Sequence, residues 1–141
     1  MSRRDVYVDH LKQVALFAGC SRKDLQRVAG RSEDRRVSAG ETIVTEGEDG
    51  NEFFVIIDGT ARVSRDGRKL TTLGPGNGFG ELALLAHGPR NATVVADTVM
   101  ELAVVNERDF AGLLDEVPSF AYKLLRSTAR RLREADARSI Q

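Results

Sequence analysis

One cysteine, three prolines and no tryptophan stand among the 141 residues of this chain. A lone thiol, Cys20, excludes an internal disulfide framework and suits a reducing compartment. Its simplest role is that of a small hydrophobe behind a helix end. Histidine is equally scarce. His10 and His87 have no Ser or Cys partner in a recognisable motif. Neither a cluster at metal-ligand spacing, nor a Walker loop, nor a dinucleotide fingerprint occurs, so the sequence predicts no enzyme, no metal site and no cofactor. The acidic turn Glu48–Asp49–Gly50–Asn51 lacks the spaced ligands of a calcium loop and reads as a solvated turn. No charge predominates: 21 Lys and Arg balance 21 Asp and Glu, which leaves no global field to recruit nucleic acid or a membrane. Long apolar runs are absent too. No stretch of signal-peptide or bilayer-spanning length is found, and the expectation is a soluble, cytoplasmic chain.

What is present fits one domain, residues 1–141, large enough to bury a core unaided. Residues 5–31 read as a helical pair. Leu11, Val14, Ala15 and Ala18 share a face of the first helix. Ser21 to Asp24 resembles a capping box that opens a second helix ending at Gly30. From residue 32 to 106 the period becomes that of short strands. Phe53 to Ile57 has no polar face and should be covered on both sides. Asp58–Gly59 and Asp66–Gly67 each carry the two-residue hairpin signal. Asn106 to Asp109 is another capping pattern, opening the C-terminal helices of 107–141. The last of these, from Ser119 to about Arg138, carries the stripe Phe120, Ala121, Leu124, Leu125, Thr128, Leu132 and Ala135. That stripe is predicted to dock on the strands. The fold class expected is α+β: an antiparallel β-roll with an N-terminal helical pair, a short helix within it, and two C-terminal helices.

The chemistry concentrates in residues 79–96. Glycine recurs at 74, 76, 78 and 80, where backbone must turn sharply or approach a ligand. Glu81 to Ala86 reads as a short helix stopped by Gly88 and Pro89. A helix entered from glycines presents N–H groups to an anion. Glu81 would repel a bare phosphate, so the pattern suits a ligand with one negative charge and one neutral hydroxyl. A cyclic nucleotide has both: Arg90 and backbone N–H groups take the phosphate, and Glu81 accepts from the ribose 2′-OH. The plainer alternative pairs Glu81 with Arg90 and leaves the glycines as turns. His87 reads as a polar turn residue, with a place near the ligand as the alternative.

Phe79-Gly80-Glu81-Leu82-Ala83-Leu84-Leu85, followed by Pro89-Arg90-Asn91-Ala92-Thr93-Val94, closely resembles the phosphate-binding cassette of cyclic nucleotide-binding domains. That family includes regulatory subunits of protein kinase A, the catabolite activator protein and cyclic nucleotide-gated channels. The resemblance implies a non-enzymatic regulatory module for cAMP, less readily cGMP, with Phe79, Gly80, Glu81, Leu82, Ala83, Arg90, Asn91 and Ala92 around the ligand. Position 91 lies near the base in the family, as threonine in cGMP-dependent kinases and alanine in protein kinase A; Asn91 matches neither. Ala129-Arg130-Arg131-Leu132 resembles a stretch of the catabolite activator protein. On that pattern Ala135 and Asp136 would fall at base contacts, without the family's hydroxyls, and Asp136 could simply pair with Arg133. The implied partners are the nucleotide and a protein effector reached through the C-terminal helices, with a homodimer through the last helix as an option. No helix-turn-helix domain is expected within these residues. Two other readings stay open: a ligand-free interaction module of the same fold, and a nucleic-acid-contacting fragment argued from the basic last helix.

Overall fold

The computed structural model describes the backbone of residues 3–140 and the side chains of residues 3–134. Two four-stranded antiparallel sheets form the β-roll. One has the order β1 (Glu33–Val37), β8 (Met100–Asn106), β3 (Glu52–Asp58), β6 (Gly78–Phe79). The other runs β2 (Thr42–Val44), β7 (Thr93–Ala96), β4 (Ala61–Arg65), β5 (Arg68–Leu73). The helices α1 (Arg3–Lys12), α2 (Arg22–Gly30), α4 (Glu107–Glu116) and α5 (Pro118–Ile140) contribute to a second core layer, which Leu84 of the short α3 (Glu81–Leu85) also joins.

The apolar run in β3 explains this layering. Successive strand side chains face opposite ways. Phe53 and Val55 join a core built with Leu11, Val28, Phe110 and Phe120 from the helices. Phe54 and Ile56 join the interior of the roll with Phe79, Val94, Met100 and Leu102. A strand covered on both faces has no place for polar alternation, as its sequence predicts.

Two local expectations change. The first predicted helix ends at Lys12, and a single 3₁₀ turn, Ala15–Phe17, follows. That turn buries Leu16 and Phe17 and leaves Ala15 and Ala18 exposed. Asp66–Gly67 does close a hairpin, with Arg65 opposite Arg68. Asp58–Gly59 does not, because β3 and β4 lie in different sheets. Gly59, at φ +92°, turns the corner pressed against Val99 and Met100; an added Cβ would stand 2.5 Å from the Val99 carbonyl. The capping patterns are realised. The Ser21 hydroxyl accepts from the Asp24 N–H at 3.0 Å, and Asn106 Oδ1 from that of Asp109 at 2.8 Å.

The stripe on α5 is only half a docking face. Phe120 and Leu124 are buried. Leu125 and Leu132 are 67% and 64% exposed, as is most of Tyr122. What brings the middle of α5 to the β-roll is polar instead, and it lies at the candidate site.

Candidate functional site

The cassette is held at both ends before any ligand contact is considered. At its entry Phe79 pairs with Phe54 across β6 and β3 and stacks on it at 4.9 Å. Gly80 then turns the chain into α3 at φ +94°, a conformation that costs a side-chain-bearing residue roughly 1–2 kcal/mol. At its exit the Arg90 N–H donates to the Glu48 carbonyl at 2.8 Å, and the Arg90 carbonyl accepts from the Gly47 N–H at 2.9 Å. Arg65 Nε–H donates to the Asn91 carbonyl at 2.7 Å. The acidic turn 48–51 is therefore more than a solvated turn, since it braces the cassette.

Arg90 is 8% exposed, and among the described residues no carboxylate reaches ion-pairing distance of it. Its Nη1 donates to the Gly80 carbonyl at 3.1 Å and its Nη2 to the Glu52 carbonyl at 2.9 Å. Its guanidinium carbon stands 5.7 Å from the centre of the Phe54 ring, a cation–π contact. Burial pulls the Arg90 pKa down, and the charge of Glu52 partly offsets this. An arginine keeps its proton even so. The site thus holds a desolvated positive charge satisfied by two carbonyls, the Phe54 ring and the more distant charge of Glu52.

Glu81 is the complementary oddity. It is 1% exposed, in the first turn of α3, where a carboxylate meets the favourable end of the helix dipole. Its Oε1 pairs with Arg131 and accepts from the Thr128 hydroxyl at 3.3 Å, both from α5. Its Oε2 is buried and meets no hydrogen-bond partner among the described residues. A buried acceptor left unmade costs about 1–3 kcal/mol, so a donor supplied from outside would be well received. Glu81 and Arg90 do not pair with each other, which removes the plainer sequence alternative.

The other predicted positions divide. Phe79, Ala83 and Ala92 are buried around the cassette, whereas Leu82 points out and is 40% exposed. The Asn91 side chain is exposed. His87 sits at φ +49° after α3, with Nδ1 3.4 Å from Glu107 Oε1, as a turn residue. The side chains of Ala135 and Asp136 lie outside the described residues. Sequence reasoning missed the polar pair Thr128 and Arg131. The signals were the docking stripe, which included Thr128, and the Ala129-Arg130-Arg131-Leu132 resemblance, which marked the segment without assigning its side chains. Burial lowers the Arg131 pKa as well.

Comparisons with known proteins give the family and the fold. Residues 34–117 match the family model for the cyclic nucleotide-binding domain. A cAMP-dependent protein kinase regulatory subunit of Mycosarcoma maydis is 37% identical over 121 residues, which cover 79% of this chain and 23% of that protein. The cyclic AMP receptor protein of Thermus thermophilus is 33% identical over 131 residues, 89% of this chain and 61% of that one. The chain thus spans from about a quarter to three fifths of the length of these relatives. The solved structure of a PKAR CBD2 domain bound to Sp-2Cl-cAMPS superposes with a TM-score of 0.80 at 31% identity, covering 94% of this chain and 91% of that one. With two four-stranded antiparallel sheets, a short cassette helix and the matched residues 34–117, this chain belongs to the cyclic nucleotide-binding domain family.

Proposed function

We propose that this domain is a non-enzymatic sensor of cAMP, with cGMP the weaker ligand. The observation that carries the reading is the pairing of unmet needs in one cassette. Among the described residues Arg90 is a buried cation with no carboxylate at ion-pairing distance, and Glu81 is a buried carboxylate whose Oε2 meets no donor. A cyclic phosphate answers the first and a ribose 2′-OH the second. The ligand is the nucleotide itself, and no further cofactor enters the proposal. Phe79, Gly80, Leu82, Ala83, Asn91 and Ala92 complete the ligand-binding set. Asn91, with its exposed carboxamide, would set only a modest preference for adenine, since it offers both donor and acceptor.

The relay runs through α5. Thr128 and Arg131 already touch Glu81, so a hydroxyl arriving at Oε2 engages the carboxylate that holds this helix. Ligand then favours whichever helix position it binds better. The output passes to a protein effector, and the exposed Tyr122, Leu125 and Leu132 on α5 offer a face for that effector or for a second copy of the domain. A cytoplasmic location follows from the regulatory role proposed. A second reading has its own support: Arg90 and Glu81 Oε1 are both hydrogen-bonded without ligand, as an interaction module of this fold would need.

A ribose test separates the two readings. Wild-type protein should bind 2′-deoxy-cAMP on the order of 10- to 100-fold more weakly than cAMP. Glu81→Ala should bind both nucleotides with one reduced affinity. Equal penalties for the deoxy nucleotide in both proteins would break the ribose assignment. Absence of any nucleotide binding would leave the interaction module.

A further inference from the structure

Arg90 reaches its two carbonyl acceptors only because nothing projects from Gly50. Its stem and head cross directly over that α-carbon. A Cβ at Gly50 would stand 2.3 Å from Arg90 Nε, 2.4 Å from Cζ and 2.8 Å from Cδ. Attractive contacts of carbon with heavy atoms begin near 3.5 Å, so the side chain would have to leave. A shift would break the contacts that hold it. Phe54 lies against one face of the guanidinium, and the carbonyls of Gly80 and Glu52 take Nη1 and Nη2.

The main chain gives no reason for glycine at this position. Seven glycines have positive φ, and Gly50 is not among them. Gly47, three residues earlier in the same turn, is the reverse case: φ is +86° and a Cβ would meet nothing within 4 Å. Gly80 combines both demands, since its φ is +94° and a Cβ there would lie 2.7 Å from Arg90 Nη1. At Gly50 the backbone makes no such demand, and the three atoms nearest to an added Cβ all belong to Arg90.

We propose that Gly50 is a positioning residue for Arg90: any side chain at 50 evicts the guanidinium from between Phe54, Gly80 and Glu52, and phosphate capture is lost with it. The positioning claim concerns the free protein, while its consequence for ligand rests on the reading of Arg90 as the phosphate-binding group. Gly50 belongs to the strand-connecting turn before β3, 40 residues from Arg90 in sequence. Nothing in the cassette motif of residues 79–94 points to it.

Two arms test this. In ligand-free protein, the Arg90 Nε–H gives a side-chain NMR resonance, identified by its loss in Arg90→Lys. It should be shielded from exchange and shifted by the Phe54 ring. Gly50→Ala should abolish that signature. Gly40→Ala, which strains a backbone at φ +86° where a Cβ meets nothing within 4 Å, should keep it. In the ligand arm, Gly50→Ala should weaken cAMP binding on the order of 10- to 100-fold. The double variant Gly50→Ala/Arg90→Ala should bind within about twofold of Arg90→Ala alone, because one loss contains the other. The double variant also lacks the clash, so it should fold as Arg90→Ala does even if Gly50→Ala does not. A retained Arg90 signature in Gly50→Ala, independent losses in the double variant, or misfolding of the double variant alone would each overturn the assignment. If wild type binds no cAMP, the sensor reading fails while the NMR arm still decides the role of Gly50.

Discussion

Removing Arg131 should destabilise the free protein, because it leaves Glu81 charged and buried without its cation. Stripping one partner from a fully buried ion pair costs about 3–5 kcal/mol, and exposed pairs contribute about 0–1 kcal/mol. Glu81 belongs to the first class and Arg131, with 45% of its side chain exposed, to the second. An intermediate loss of about 1–3 kcal/mol follows for Arg131→Ala. For 141 residues the unfolding entropy is about 0.3 kcal/mol per degree, which converts that loss into a Tm drop of about 3–10 °C. The sharper test is a double-mutant cycle by thermal unfolding without ligand. Glu81→Gln removes the charge, so adding it to Arg131→Ala should restore part of the loss, with a coupling of about 0.5–3 kcal/mol. Additive losses, or an Arg131→Ala protein that melts with wild type, would mean that the contact between α5 and the cassette has no energetic weight. The relay proposed through Glu81 would then lose its physical basis.

Further outcomes follow from named contacts. Arg90→Ala should weaken cAMP binding on the order of 10- to 100-fold by calorimetry, and Arg90→Lys should also lose, because an ammonium cannot replace the planar fork. Phe120→Ala, opening a void between Phe17, Phe53 and Phe110, should cost about 3–5 kcal/mol by urea unfolding, and a loss under 1 kcal/mol would contradict the packing described. Asn106→Ala should cost about 1 kcal/mol by removing the cap of α4. Burial raises the Tyr7 pKa above its ordinary value of 10.0, and the hydrogen bond with Ser32 partly offsets this. Its contribution to stability is therefore complete below about pH 10 and lost as pH rises through the folded-state value. Tyr7→Phe should flatten that alkaline decline in Tm, and an unchanged slope would rule Tyr7 out as its source.

The sequence was most informative where local chemistry decides structure. Ser21 and Asn106 cap the helices they are placed to cap, because a cap needs only its own next three residues. The unbroken apolar run at 53–57 read correctly as a strand between two layers, with Ile57 at its end only half-buried. Asp58–Gly59 misled because the turn signal specifies positive φ, not the sheet that the next strand joins. The Thr60 N–H bonds to the Thr98 hydroxyl rather than starting a ladder with β3. The stripe on α5 misled for a related reason. Helical periodicity says which residues share a face, but not how far along the helix a neighbour extends, and Leu125 and Leu132 stay mostly exposed. In the site, Glu81 and Arg90 stood out as residue types that the cassette needs at that spacing. Their supports, Arg131, Thr128, Glu52 and Gly50, lie 38 to 50 residues away from them in sequence. Only tertiary structure brings such residues to the site, and no short-range pattern carries them.

The central claim is that one cassette uses Arg90 and Glu81 to hold a cyclic nucleotide. Its most direct test is a calorimetric titration of the wild-type protein with cAMP, and with cGMP in parallel. The account predicts one site per chain, micromolar or tighter for cAMP and modestly weaker for cGMP. No heat of binding with either nucleotide, with the protein shown to be folded, would contradict it.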